Sequence, residues 1–351
     1  MEKRFEVTLQ NNIKTSVWFT TDNEEMNGKI LSLKTQYVIV TDENSLPYSP
    51  DKDRTVVLKS GEENKNWEGI EKILSFALGH SMARDGVFVA IGGGVVCDMT
   101  ALAASLAASL FMRGARLILC PTTLLSMVDA SLGGKAAIDF MNTKNTVGAF
   151  YPAEDVILSF PVLSTLPEKE FMCGMGEVVK HAFLSDDDSL YKFLFANKDK
   201  ILSRDKDALM TMVDLSLRVK KSYIERDPME KKGIRSALNL GHTFGHALES
   251  ITDYSISHGE AVVWGMKKAL TSGLWQGITP PEFYLWCIDL ISQFPFLDEY
   301  KVQKKDYERF IEATKKDKKK SGGTTKFVFL KGLGEPVLSP LSDDQIAAMI
   351  V

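Results

Sequence analysis

A chain of 351 residues exceeds what one hydrophobic core usually supports, so two domains are expected, 1–160 and 161–351. Hydrophobic residues make up 44% and charged residues 25%, an ordinary globular composition without the signature of disorder. The net charge of −4 argues against a general attraction to nucleic acid or to an anionic membrane.

Four scattered cysteines, Cys97, Cys120, Cys173 and Cys287, form no CxxC pair, which argues against a disulfide framework or a cysteine zinc site. A reducing cytoplasm fits best. The N-terminus lacks the apolar run of a secretory signal.

The first half alternates β-rich runs with helical patterns, the arrangement that builds a parallel sheet covered by helices. Strands are predicted at Gln36–Thr41, Thr55–Lys59 and Gly86–Ile91, with an amphipathic helix from about Trp67 to Leu78 between the second and third. The third strand runs into Gly92, Gly93 and Gly94. Glycines between a strand and a helix let the backbone approach a ligand, and the new helix offers free N–H groups to phosphate. A pyrophosphate site is the functional reading, although such glycines also serve plain tight turns. The usual third glycine of a dinucleotide loop is here Cys97, and Asp98 sits in the first helical turn.

Val95 to Met112 is apolar enough to raise a membrane helix. Asp98 and the Ala/Ser-rich interior favour a tightly packed internal helix instead. A strand at Leu117–Cys120 follows, then the loop Val128–Lys135, with an acid, two glycines and a lysine, and then Thr143-Lys-Asn145. These groups suit phosphates and hydroxyls. Beyond Leu166 helical periodicity dominates, with long amphipathic patterns at Lys206–Asp227, Glu260–Leu274 and Glu282–Phe294. The run Lys315–Lys320 reads as a solvated block in a hairpin or loop before a strand at Thr325–Leu330.

Three of the five histidines crowd together: His242, His246 and His258. His242 and His246 are four residues apart, so on a helix they share a face about 5.4 Å apart. Zinc takes imidazole nitrogen and carboxylate oxygen, and catalytic sites supply three protein ligands and leave a position open. His242, His258 and one carboxylate satisfy that rule, the carboxylate being Glu249, Glu260 or Glu177. The spacing is not that of an HExxH site.

Eight segments occur in one order: Gly92-Gly-Gly-Val-Val-Cys-Asp98, Pro121-Thr-Thr-Leu-Leu125, Asp129-Ala-Ser-Leu-Gly-Gly-Lys135, Lys144-Asn-Thr-Val-Gly-Ala-Phe-Tyr151, Thr165-Leu-Pro167, Glu177-Val-Val-Lys180, Asn239-Leu-Gly-His-Thr-Phe-Gly-His246 and His258-Gly-Glu260. In that order the chain resembles the 3-dehydroquinate synthases over nearly its whole length. The resemblance implies an α/β, Rossmann-like N-terminal domain that binds NAD, a mainly α-helical C-terminal domain, an active site in the cleft between them, and a homodimer. It further implies that Glu177, His242 and His258 are the ligands of zinc, or of cobalt in its place, and that His246 is left to contact substrate or handle protons. The NAD site would use Gly92, Gly93, Gly94, Asp98, Thr122, Thr123, Lys144 and Asn145, with Glu62, Lys65, Asn44 and Thr165. Substrate would be held by Asp129, Lys135, Lys180, Lys221, Arg235, Asn239 and a lysine of the 315–320 run, Lys318. Arg113 resembles the arginine that reaches across the dimer to the neighbouring phosphate site.

The implied reaction is the shikimate-pathway conversion of 3-deoxy-D-arabino-heptulosonate 7-phosphate to 3-dehydroquinate and phosphate. NAD⁺ oxidises C5, phosphate is eliminated, NADH returns the hydride, and an aldol closure makes the ring. Two departures stand out. Cys97 replaces the family's glycine and is expected either to weaken NAD binding or to be an oxidation-sensitive thiol. Asp139-Phe-Met-Asn142 replaces the usual Asn-His-Pro-Leu and puts the local loop shape in question. The rivals are another sugar-phosphate cyclase and a metal-dependent polyol dehydrogenase of the glycerol dehydrogenase type. A binding protein with an idle site is a third.

Overall fold

Runs of β-branched and aliphatic residues that stay apolar on both faces belong in the middle of a parallel sheet, and that is where the chain puts them. The computed structural model describes residues 1–9, 12–111, 114–141, 143–297, 299–321 and 325–350, with the backbone alone at 110, 111 and 316–321. Two compact units divide at Leu166/Pro167. The first unit runs past residue 160 because the turn Phe160–Ser164 stays with it. Phe160 packs edge-on against Phe19 with ring centroids 5.0 Å apart.

The first unit holds β1 (Glu2–Thr8), β2 (Lys14–Thr20), α1 (Asn23–Leu31), β3 (Tyr37–Asp42), β4 (Thr55–Leu58), α2 (Trp67–Gly79), β5 (Val87–Gly92), α3 (Gly94–Leu106), β6 (Arg116–Pro121), β7 (Lys135–Phe140), β8 (Thr143–Phe150) and β9 (Asp155–Ser159). Seven of the strands form one sheet in the order β1-β2-β9-β6-β5-β3-β4, parallel except for the β1–β2 pair. β7 and β8 form a separate antiparallel hairpin. All six residues of β5 are buried. Val87, Val89 and Ile91, on one face of the strand, share a core cluster with Ile39, Ile118 and Ile157 of other strands and with Met26 and Ile30 of α1. Each such fully buried side chain contributes about 1.5–3 kcal/mol of transfer free energy.

Side chains place the helix starts. Asp22 accepts the amide of Glu24 at α1, and Asn66 accepts that of Gly69 at α2. The apolar segment from Val95 forms α3 and then a five-residue π-helical turn, Ala107–Phe111. No helix among the described residues is long and apolar enough to cross a membrane.

The second unit is mainly helical: α4 (Glu168–Leu184), α5 (Ser189–Leu202), α6 (Lys206–Arg226), α7 (His242–Ile251), α8 (His258–Trp275), α9 (Pro281–Ser292), α10 (Tyr307–Ser321) and α11 (Asp343–Ile350), with the hairpin β10 (Lys326–Leu330) and β11 (Pro336–Pro340). The lysine block 315–320 lies within α10, not in the loop or hairpin expected from its charge. Phe310 at 0% exposure and Thr314 at 2% place one face of α10 in the core, and that amphipathic pattern decides the conformation.

Candidate metal and cofactor sites

The metal candidates converge because three helices of the second unit approach backbone to backbone. A Cβ at Gly259, at the start of α8, would collide with the carbonyl oxygen of Cys173 in α4. A Cβ at Gly241 would collide with the carbonyl oxygen of Val262 in α8, and Gly241 takes φ +79°, the left-handed conformation that starts α7. Glu177 on α4, His242 on the first turn of α7 and His258 on the first turn of α8 are thereby brought to one point.

Glu177 is fully buried. Its Oε2 pairs with Lys180 Nζ, one turn along α4. Its Oε1 has no hydrogen-bond partner and faces His242 Nε2 at 3.5 Å and His258 Nε2 at 3.8 Å. The other nitrogen of each ring is turned to an acceptor: His242 Nδ1 donates to the carbonyl of Leu240 at 3.3 Å, and His258 Nδ1 faces Glu249 Oε2 at 3.4 Å. Those partners leave each Nε2 as a lone-pair donor beside a bare carboxylate oxygen, as a metal requires. The three ligand atoms lie within 4.8 Å of one another. A His₂Glu set with an orphaned buried oxygen fits a divalent cation such as zinc, with coordination positions to spare.

The carboxylates left open by the sequence thus separate. Glu260 serves the cap of α8, accepting from the amide of Ser257 at 3.2 Å and from its hydroxyl at 2.7 Å. Glu249, 3% exposed, orients His258 from behind. His246 is exposed, its ring edge-on to His242 with centroids 5.3 Å apart. Sequence reasoning missed the Leu240 carbonyl and the sulfur of Cys173, which accepts the Gly259 amide at 3.3 Å; neither carries a pattern signal.

Arg235 and Asn239 stand on the short 3₁₀ turn just before α7. Arg235 is buried, its Nη1 donating to the Pro228 carbonyl and its Nε 3.3 Å from Glu230. Asn239 is exposed. Lys221 turns toward Glu225 at 3.9 Å. The adjacent Lys220 is the buried lysine, on the α6 face that carries Ser216, whose hydroxyl bonds His181 of α4. The doublet gave no clue to which lysine faces inward; helix phase decides it. Arg113 lies outside the described residues, as does the side chain of Lys318.

In the first unit β3 is flanked by β4 and β5, so strand order reverses there. Open α/β sheets take ligands outside the carboxyl ends of the strands at such a point. The β3 end carries the turn in which Asp42 accepts the Ser45 amide at 2.8 Å; the β5 end carries Gly92, Gly93 and Gly94. A Cβ at Gly93 would meet Thr123 Cγ2 at 3.4 Å, and one at Gly94 would meet Ala130 at 3.7 Å, both ordinary contacts. The protein itself therefore does not demand glycine at either position, which fits a cradle for a ligand that approaches the backbone.

Thr122, Thr123 and the Lys65–Asp98 pair border this loop and the helix it starts. Thr122 donates its amide to the Gly92 carbonyl at 2.9 Å, and its hydroxyl lies 3.1 Å from that of Ser45. Thr123 shares hydrogen bonds with Ser126. Lys65, 4% exposed, donates to Asp98 at 2.7 Å and to Asn145 at 2.6 Å, with Glu62 at 3.9 Å. Burial opposes its charge, but the carboxylates of Asp98, Glu62 and Asp139 outweigh it and raise the lysine above its ordinary range. Thr165 bonds Tyr48 at 2.5 Å. Asn44 and Lys135 are exposed, and Asp129 and Lys144 half-buried.

Cys97 is 1% exposed, with its sulfur 3.7 Å from the Gly92 carbonyl. Burial pushes its thiol well above the usual value, so the oxidation-sensitive thiol expected from sequence is not supported. The loop at 139–142 is the end of the β7–β8 hairpin, in which Phe140 pairs with Thr143; Asn142 lies outside the described residues.

Residues 55–173 match the family described as 3-dehydroquinate synthase N-terminal, and residues 174–320 match 3-dehydroquinate synthase C-terminal. A 3-dehydroquinate synthase of Francisella tularensis subsp. holarctica is 39% identical over 295 residues, 84% of this chain and 80% of that protein. A bifunctional 3-dehydroquinate synthase/phosphatase of Fusobacterium nucleatum subsp. nucleatum is 38% identical over 301 residues, 86% of this chain and 44% of that protein. Among solved structures, a 2-deoxy-scyllo-inosose synthase complexed with carbaglucose-6-phosphate, NAD⁺ and Co²⁺ superposes with a TM-score of 0.86 at 23% identity, covering 99% of this chain and 98% of that one. The 2-epi-5-epi-valiolone synthase ValA of Streptomyces hygroscopicus subsp. jinggangensis, with NAD⁺ and Zn²⁺ bound, gives 0.84 at 20% identity, covering 98% of each chain. These last two likenesses are of fold.

Proposed function

The chain belongs to the 3-dehydroquinate synthase family, and from that premise we propose that it converts 3-deoxy-D-arabino-heptulosonate 7-phosphate to 3-dehydroquinate and phosphate, with catalytic NAD and a divalent metal. The observation that carries this reading is the buried, unpartnered Glu177 Oε1 facing two imidazole Nε2 atoms. Glu177, His242 and His258 would hold zinc, or cobalt in its place. When bound, zinc supplies Lewis acidity toward substrate hydroxyls, and NAD supplies a hydride acceptor that is regenerated each turnover.

The protein's own groups do the rest. Gly93 and Gly94 leave room for a pyrophosphate against the backbone, and Thr122, Thr123, Lys144, Asn145, Asp98, Lys65, Glu62, Asn44 and Thr165 bind around it. Lys180 neutralises Glu177 and so sets the charge of the metal site. His246, exposed beside the cluster, would hold a proton of the substrate at its imidazole. Arg235, Asn239, Lys135 and Asp129 would orient the carboxylate, hydroxyls and phosphate, together with Lys220 in place of Lys221. Arg113, in a homodimer, and Lys318 complete the phosphate contacts in this reading, and the setting is cytoplasmic.

The test is purified protein with the heptulosonate phosphate, Zn²⁺ and NAD⁺, following phosphate release and the NADH absorbance band. Phosphate release without accumulating NADH is expected. Stoichiometric NADH would instead identify a polyol dehydrogenase, and turnover of a different sugar phosphate another cyclase.

A further inference from the structure

Three contacts of the first unit close into a ring, and a fourth ties that ring to Asp98. The Asp139 amide donates to the Lys65 carbonyl at 2.9 Å, and Asp139 Oδ1 accepts the Asn145 amide at 2.8 Å. Asn145 Oδ1 accepts Lys65 Nζ at 2.6 Å, and the same Nζ donates to Asp98 at 2.7 Å. Asn145 is held at φ +51°, a left-handed conformation that a non-glycine residue keeps only when its surroundings fix it. Because Lys65 is donor only, the Asn145 amide must present Oδ1 to it, which leaves Nδ2 as a donor for an acceptor on a ligand.

We propose that Asp139 is a positioning residue of the NAD site: its carboxylate fixes the backbone of Asn145, and through it the Lys65–Asn145–Asp98 contact that borders the glycine loop. This rests on the NAD reading above. Asp139 acts through Asn145, by what its carboxylate accepts. An acceptor without charge should serve as well, so Asp139→Asn keeps the ring, whereas Asp139→Ala opens it.

The experiment is NAD⁺ titration of the full chain by calorimetry, beside apo-protein melting. Loss of the ring's acceptor is expected to weaken NAD⁺ about tenfold in Asp139→Ala, with the apo melting temperature within about 2 °C, and to leave Asp139→Asn within about twofold of the parent. Equal affinity in all three overturns the proposal. An equal loss in both variants overturns it too, since charge rather than acceptance would then matter. So does a large fall in the Asp139→Ala melting temperature, which would make the role one of stability alone. Absence of NAD⁺ binding by the parent chain overturns the cofactor reading instead, and this inference with it.

Discussion

Glu177 Oε1 lies 3.5 Å from His242 Nε2 without a hydrogen-bond partner of its own, although the two residues start from different helices far apart in the sequence. Lys180 pairs with the other oxygen of this buried carboxylate, yet Oε1 stays without a partner among imidazole nitrogens, a costly arrangement that a divalent cation would relieve. Glu177→Gln should therefore abolish tight divalent binding, lowering Zn²⁺ affinity by at least about a hundredfold. Competition against a chromogenic chelator measures it, and near-parental affinity would remove Glu177 from the ligand set.

Glu249 makes a graded version of the same test. Its carboxylate faces His258 Nδ1, so in the proposed site Glu249 acts behind the imidazole, and Glu249→Ala should lower Zn²⁺ affinity by only about tenfold. A loss as large as that of Glu177→Gln would mean that Glu249 is itself a ligand.

Gly259 tests the scaffold that brings these groups together. A Cβ there would strike the Cys173 carbonyl, a backbone atom that cannot swing away. Gly259→Ala should cost about 1–3 kcal/mol or more in chemical denaturation and weaken Zn²⁺ together with stability. Unchanged stability would show that α4 and α8 can separate freely.

That close approach also explains what the sequence could and could not disclose. The apolar runs of β3, β5 and β6 are readable because central strands carry one pattern on both faces. His242 and His246 show their shared face through spacing alone. The meeting of Glu177 with His242 and His258 is not local: it depends on glycine contacts between helices, and Glu260 is seen to serve its cap only once Ser257 is seen to bond it. The β7–β8 hairpin escapes notice because Lys135, Thr143 and Asn145 look like a solvated loop, and no residue of β8 is buried. The lysine block hides a helix for the opposite reason, since its own charges mask the apolar face that begins at Phe310.

All four cysteines are buried, and burial raises Cys120 and Cys173 to about 12 and pushes Cys97 and Cys287 up as well. The native protein should give almost no fast reaction with an aromatic disulfide reagent at pH 8, and four equivalents after denaturation. A rapid native equivalent that mapped to Cys97 would revive the idea of a redox-sensitive cofactor loop.

Asp227 offers the pH test. It is 1% exposed and accepts the amides of Lys232 at 3.0 Å, Ile234 at 3.0 Å and Arg235 at 3.3 Å, folding the loop that delivers Arg235. Burial by itself would raise its carboxyl, but the amides of Lys232, Arg235 and Ile234 outweigh that and lower it below 3.8. A carboxyl lowered by folding contributes stability that is present above its unfolded value and is lost as pH falls through the folded one. Melting temperature should therefore drop on acidification below about pH 4, and Asp227→Asn should flatten that acid limb while lowering stability at pH 7. Substrate affinity should fall in the same variant if Arg235 holds a substrate anion, because the loop would no longer fix the guanidinium. An acid limb with the parental slope in Asp227→Asn would assign the transition to other carboxylates, and unchanged substrate affinity would release Arg235 from the site.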